Sequence, residues 1–376
     1  MNTAHKHYFV RGNTALGLYS LVDSAYRGLR TVYVLQGYTG GTALILKKLA
    51  QHLEHQGHSL HLIHDPLNSE LLEGIIVPNL KIGFIDEEAF PQEPNAIGGA
   101  DIQVIPVKDC YDVGKITQAS QALTRLQQQL NEAYDTAYAS FLKTLRIHDE
   151  WEKYYIEHLD REVMNELATV WGDKYLIQNE AFTTTSTNPE NCSIINSPTT
   201  VHRFLGAATY TGAVDYVMNL TDDLDKRFYV KGRPGSGKST LFKKLASIAQ
   251  ERGISTEVYH CGFDPNSLDM LIFPELSLAI FDSTAPHEHF PARDKDEIID
   301  VYPLAITPGT DERFAEELAP IKQRYATSMK QSIAYLGEAK EIKDRMADVY
   351  LSALDLDSLT QLQKKLNQQF ELKKQD

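Results

Sequence analysis

The chain has 376 residues, 42% hydrophobic and 23% charged, with a formal net charge of -14. That length suits two domains of ordinary size, each able to bury its own core. The acidic balance disfavours non-specific nucleic-acid binding, which needs clustered Lys and Arg against phosphates, and no apolar run approaches the roughly 20 residues of a membrane helix. The opening MNTAHKHYFVRGNTALG lacks the basic start, apolar stretch and small-residue cleavage site of a secretory leader, so a cytoplasmic location is expected. Cys110, Cys192 and Cys261 are far apart and fit neither a disulfide framework nor a CxxC zinc pattern; they are read as reduced thiols.

In chain order, a strand over Val32 to Gln36 enters QGYTGGTALILKKLA, a glycine loop running into a helix. Further strands are expected over Ser59 to His64, Leu80 to Asp86 (LKIGFID) and Ile102 to Val107. Glu87 and Glu88 follow Asp86 and are read as a solvated acidic run. Leu123, Leu126, Leu130, Tyr134, Tyr138, Phe141 and Leu145 recur at three- and four-residue steps, the mark of a helix with one buried face. Residues 183–200, TTTSTNPENCSIINSPTT, have the composition of a linker. The second half then offers strands over Phe228 to Lys231, Thr256 to Cys261, Leu276 to Asp282 and Val301 to Ile306.

The two halves match. An offset of 195 residues sets His202 on His7, Phe204 on Phe9, Thr209 on Thr14, Gly212 on Gly17 and Gly232 on Gly37. After one single-residue gap, an offset of 196 sets Lys243-Lys244-Leu245-Ala246 on Lys47-Lys48-Leu49-Ala50, His260 on His64, Pro274 on Pro78 and Asp282 on Asp86. Self-similarity at this period predicts two copies of one domain. Each copy alternates apolar strands with helices, which predicts an α/β fold with a parallel sheet between helical layers, followed by long helices. The expected divisions are 1–182, a linker 183–200, and 201–376.

The second loop, Gly232-Arg233-Pro234-Gly235-Ser236-Gly237-Lys238-Ser239, fits G-x-x-x-x-G-K-S/T at every fixed position, after a strand and before a helix. Glycines let the backbone wrap a phosphate, and the loop N–H groups with the helix N-terminus supply positive charge. Lys238 is then expected to neutralise the β- and γ-phosphates, Ser239 to ligate Mg2+, and Thr240 to donate to the α-phosphate. Asp282 ends an apolar strand, where a carboxylate holds Mg2+ directly or through water. Ser283 follows it in place of the glutamate that activates water in many strong ATPases, so rapid hydrolysis is not expected. Asp264, in HCGFDPNSLD, has two readings: orienting a water or accepting a hydroxyl proton, or an Asp-Pro turn. His287, five residues beyond Asp282, is read as a γ-phosphate sensor; with His289, His260 and Cys261 it also raises zinc, although HxH alone lacks a zinc ligand pairing.

With KGRPGSGKST, HCGFDPNSLD and AIFDSTAPHE, the chain resembles a family of tandem P-loop proteins from Gram-positive bacteria, generally labelled ATPases or nucleotide kinases. The resemblance extends to HYFVRGNTALG and to IHDEWEKYYIEHLD, and implies that Lys238, Ser239, Asp264, Asp282 and His287 fall in nucleotide-site segments. The departure is in the first loop, where Thr42 and Ala43 stand opposite Lys238 and Ser239.

The leading expectation is ATP or GTP binding with slow Mg2+-dependent hydrolysis in the second domain, the first being a degenerate copy that binds none. A nucleotide or small-molecule kinase, and a non-enzymatic switch in which bound nucleotide sets the packing of the two domains and their helices for a partner, are the alternatives; the partner beyond nucleotide is left open as a small molecule or a protein.

Overall fold

Strands that are buried along nearly their whole length, such as TVYVL at Thr31–Leu35 and LAIFD at Leu278–Asp282, need cover on both faces, and helices supply it. The structure, a computed structural model, describes residues 5–91, 97–177, 199–285 and 288–371.

The first half runs β1 (Lys6–Tyr8), β2 (Arg11–Thr14), β3 (Gly17–Ser20), α1 (Val22–Ala25), β4 (Thr31–Leu35), α2 (Gly41–His55), β5 (His61–His64), β6 (Leu72–Val77), β7 (Ile82–Asp86) and β8 (Asp101–Ile105). Helices α3 (Val113–Ile156) and α4 (Arg161–Tyr175) follow. The second half repeats the order with β9 (Thr200–Phe204), β10 (Gly206–Thr209), β11 (Gly212–Asp215), α5 (Val217–Leu220), β12 (Lys226–Lys231), α6 (Lys238–Glu251), β13 (Thr256–His260), β14 (Leu268–Phe273), β15 (Leu278–Asp282) and β16 (Glu297–Asp300). It ends in α7 (Val301–Ala305), α8 (Thr310–Arg313), α9 (Ala315–Ser352) and α10 (Leu356–Glu371).

Two six-stranded, mostly parallel sheets result, ordered β1-β5-β6-β7-β4-β8 and β9-β13-β14-β15-β12-β16. The expectation of wholly parallel sheets is corrected at β6 and β14, which run antiparallel to both neighbours. The loop between β5 and β6 is too short for the dozen-residue crossover that a parallel return needs, so the chain folds straight back. The third strands begin at Ile82 and Leu278, after 3-10 turns that close on Lys81 and Ser277 at φ 53° and 50°.

The strand expected over Val301 to Ile306 is also corrected: it is helix α7, and the strand precedes it at Glu297–Asp300. The Asp300 side chain accepts from the Tyr302 N–H at 3.1 Å, a cap that starts the helix. Pro303 falls in the first turn, where its missing N–H is no loss. The expected linker falls largely outside the described residues; Thr200 already belongs to β9.

The chain forms two compact units. The first comprises residues up to Leu142, Gly206–Leu220 and those from Ser328; the second lies within Lys143–Leu205 and Thr221–Thr327. In the first, α2 and α10 cover the sheet, Phe370 packing edge-on to Tyr33 and Phe84, while Leu126, Leu130 and Ala133 of α3 meet Ala339 and Met346 of α9. In the second, Met164, Ala168 and Trp171 of α4 join Leu241, Phe242 and Leu245 of α6 against β12, β14 and β15. Buried Arg227 and Asp296, 2.6 Å apart, tie β12 to the segment before β16. Among the described residues no helix is long and apolar enough to cross a membrane.

Candidate functional site at the glycine loop

In the second unit Val230 of β12 pairs with Asp282 of β15 in parallel register, so the loop that follows β12 and the carboxylate that ends β15 emerge side by side. Gly235 and Gly237 take φ of 76° and 88°, a region that L side chains occupy only under strain, and α6 begins at Lys238. At Gly232 a Cβ would lie 2.5 Å from Ser236 Oγ and 2.8 Å from Val301 Cγ2. The glycines are thus required by backbone shape and by close packing. The N-terminus of α6 and the loop amides give this corner partial positive charge.

Lys238 is largely buried; its ammonium donates to Arg233 O at 3.0 Å and lies 3.5 Å from Asp282 Oδ2. The other Asp282 oxygen accepts from Thr284 N at 3.0 Å and Thr284 Oγ1 at 2.6 Å. Ser239 Oγ accepts from Leu268 N at 3.0 Å, and Thr240 is exposed on the first turn of α6. Ser283 is engaged elsewhere, donating to His289 O at 2.7 Å and accepting from His289 N at 3.0 Å. Lys238 and Asp282 are therefore brought together, while the Ser239 hydroxyl, on the first turn of α6, is engaged by Leu268.

Asp264 makes the turn: its carboxylate accepts from Asn266 N at 3.1 Å and its carbonyl from Ser267 N at 2.9 Å. Its charge nevertheless reaches His148 and Glu152. His287 lies outside the described residues. Among those described, no three His, Cys, Asp or Glu side chains converge as metal ligands; His260 is occupied by His202 at 2.8 Å and Pro265 O at 2.7 Å.

The last turns of α3 and the start of α4 lie on the loop. A Cβ at Gly235 would fall 2.5 Å from the carbonyl oxygen of Glu152, and one at Gly237 would touch Leu159 and Met164 at 3.3 and 3.4 Å. Arg233 is turned away by Asp311, at 2.8 Å, which also accepts from Tyr155 Oη at 2.7 Å. These residues carried no local sequence signal for the site; the quoted segment IHDEWEKYYIEHLD, which holds His148 and Glu152, was the one pointer.

In the first unit the same corner is closed by its own charges. Thr42, opposite Lys238, donates its hydroxyl to Asp86, opposite Asp282. Lys343 of α9 brings its ammonium to 3.2 Å from Glu88 and 3.4 Å from Asp65, and Thr39 donates to Glu88 at 2.9 Å. Glu88 is thus not a merely solvated acid. Burial alone would depress the Lys343 pKa, but Asp65 and Glu88 outweigh it and hold the ammonium charged. Arg11 and buried Glu73 meet at 2.6 Å; burial still pushes the Glu73 carboxyl up to about 7 against the pull of Arg11.

Neither a protein family, a curated protein nor a solved structure matches the chain.

Proposed function

We propose that the loop Gly232–Ser239 binds the phosphates of ATP or GTP and that the second half hydrolyses the nucleotide slowly with Mg2+. The supporting observation is the joint placement of a glycine loop at positive φ, a helix starting on Lys238, and Asp282 at 3.5 Å from that lysine on the neighbouring parallel strand. An ammonium, backbone N–H groups and a helix N-terminus facing one point favour a polyphosphate over a neutral ligand.

Ser239 and Asp282 would hold Mg2+; both offer oxygen, the donor this hard cation takes, and a metal kept by two protein oxygens plus phosphate and water needs no third protein ligand. The cation would supply charge neutralisation on the phosphates. Lys238 neutralises and orients the terminal phosphates, while Ser283, held by His289, leaves the position after Asp282 without a base. Turnover is accordingly slow.

In this reading the two sheets are copies of a P-loop domain, the first one binding no nucleotide, in keeping with the resemblance to tandem P-loop proteins. A cytoplasmic location and a small-molecule or protein partner complete the proposal. The packing of α3 on the loop favours the switch alternative over the kinase, because a helix touching the phosphate loop feels whether it is filled. Phosphate release and triphosphate affinity, compared between wild type and Lys238→Ala, test the proposal: both should collapse in a folded variant.

A further inference from the structure

Arg233, the second residue of the glycine loop, is held by backbone and side chain alike. Its N–H donates to Ser236 Oγ at 3.2 Å, while its carbonyl accepts from Ser236 N at 3.1 Å and from the Lys238 ammonium at 3.0 Å. Its guanidinium donates to Asp311 Oδ2 from Nε at 3.0 Å and from Nη2 at 2.8 Å, and lies over the ring of Tyr302 at 5.0 Å. Asp311 is fixed in turn. Its Oδ1 accepts from the hydroxyl of buried Tyr155 at 2.7 Å, and its N–H donates to Tyr302 Oη at 3.0 Å. Burial would raise this carboxyl, but Tyr155 and Arg233 outweigh it and hold it below the usual carboxylate range.

The first half makes the same tie without charge. Leu159 pairs with Ile306, and Leu354 with Tyr111, in bridges that are 195 residues apart in both partners, and that register puts Ile116 opposite Asp311 and Tyr350 opposite Tyr155. Tyr38 stands opposite Arg233 in the loop. There Tyr38 stacks on Tyr350 with centroids 4.5 Å apart and planes 7° from parallel, and Ile116 packs on the same core. The ionic anchor is present where the loop has its lysine and replaced by an apolar one where it does not.

We infer that Asp311 is a positioning residue for the phosphate loop: by gripping the Arg233 guanidinium it fixes the residue whose carbonyl holds the Lys238 ammonium, and so preorganises the loop for a nucleoside triphosphate, an inference that rests on the triphosphate reading of the loop. Asp311 acts through Arg233 and touches no phosphate in this role. A loop already fixed at Arg233 loses less freedom when a ligand fills it, and that saving appears as affinity. The Arg233 side chain is 44% exposed, so its ion pair adds little to stability, and an effect on binding is separable from one on folding.

The test is a double-mutant cycle read by titration calorimetry of the full chain with a non-hydrolysable ATP analogue and Mg2+, on wild type, Asp311→Ala, Arg233→Ala and the double variant, with folding verified by thermal unfolding. Each single variant should bind about tenfold more weakly than wild type, the scale of one charged hydrogen bond. The double variant should bind no more weakly than either single one, because Asp311 has nothing to act through once Arg233 is gone. If Asp311→Ala does not fold, Asp311→Asn, which keeps the size and an acceptor for Tyr155, replaces it in the cycle with the same expectation. Unchanged affinity in the folded Asp311 variant, or losses that add in the double variant, would overturn the positioning role while leaving the loop a nucleotide site. Tighter binding in the Asp311 variant would overturn it too, by showing Arg233 to be a phosphate ligand that Asp311 holds away. Absence of binding in wild type would overturn the triphosphate reading and the positioning role together.

Discussion

The ammonium of Lys238 lies 3.5 Å from the carboxylate of Asp282. At the matching place in the first unit the hydroxyl of Thr42 donates to Asp86. One geometry thus serves two chemistries: a cation with spare hydrogen-bonding capacity in one unit, and a neutral donor satisfied by its partner in the other. The positive charge missing at Thr42 is supplied from α9 by Lys343, which is itself engaged by Asp65 and Glu88.

Lys343→Ala should therefore cost about 1–3 kcal/mol, because it leaves the buried Asp65 carboxylate without its nearest ammonium, with Arg11 as the remaining cation and Glu88 about half exposed. Arg324→Ala breaks a pair with Glu150 in which both side chains are about half exposed, and should change stability by less than about 1 kcal/mol. Chemical denaturation of both variants checks the contrast. Equal small effects would show that Lys343 is solvated.

A pH dependence follows from Asp86. Burial first, and Glu88 second, push its carboxyl up to about 6, against the Thr42 hydrogen bond. The unfolded chain releases that proton near about pH 4, so between about pH 4 and 6 the folded form binds more protons and its stability falls as pH rises. Asp86→Asn removes this contribution. The stability of wild type relative to Asp86→Asn should drop by up to about 3 kcal/mol across that window, as followed by denaturation at successive pH values. Parallel curves would contradict it.

Much of this architecture is legible in local sequence. The strand-loop-helix around Gly232–Ser239, the aspartate closing β15 and the periodic stripe in α3 all announce themselves, because backbone shape and burial act over a few residues. The strands LEGIIV and LDMLIF are not among those expected, and their antiparallel sense follows from the short loops before them. VYPLAI misleads, since β-branched and aromatic residues favour a strand while Asp300 and Pro303 favour a helix start. Lys343 and Glu152 were not legible, because each reaches its site from a distant helix and neither forms part of a local pattern.

Glycine at 235 has two separable requirements, and a pair of variants divides them. Gly57 has φ 83° and nothing within 4 Å of a built Cβ, so Gly57→Ala should cost about 1 kcal/mol for the left-handed backbone alone. Gly235→Ala, at φ 76° with Glu152 O at 2.5 Å, should cost that and about 1–3 kcal/mol more. Thermal unfolding measures both. Equal losses would mean that α3 does not bear on the loop.

The central claim is that the second loop, and not the first, takes a nucleoside triphosphate through Lys238. Titration calorimetry with a non-hydrolysable triphosphate and Mg2+ tests it most directly, on wild type and on Lys238→Ala with folding verified by circular dichroism. The expected result is one site per chain, weakened by about 10- to 100-fold or lost in the variant, as removal of one charged hydrogen-bond donor from a phosphate implies. A wild-type chain that takes up no triphosphate, or a tight site that survives Lys238→Ala, would contradict the account.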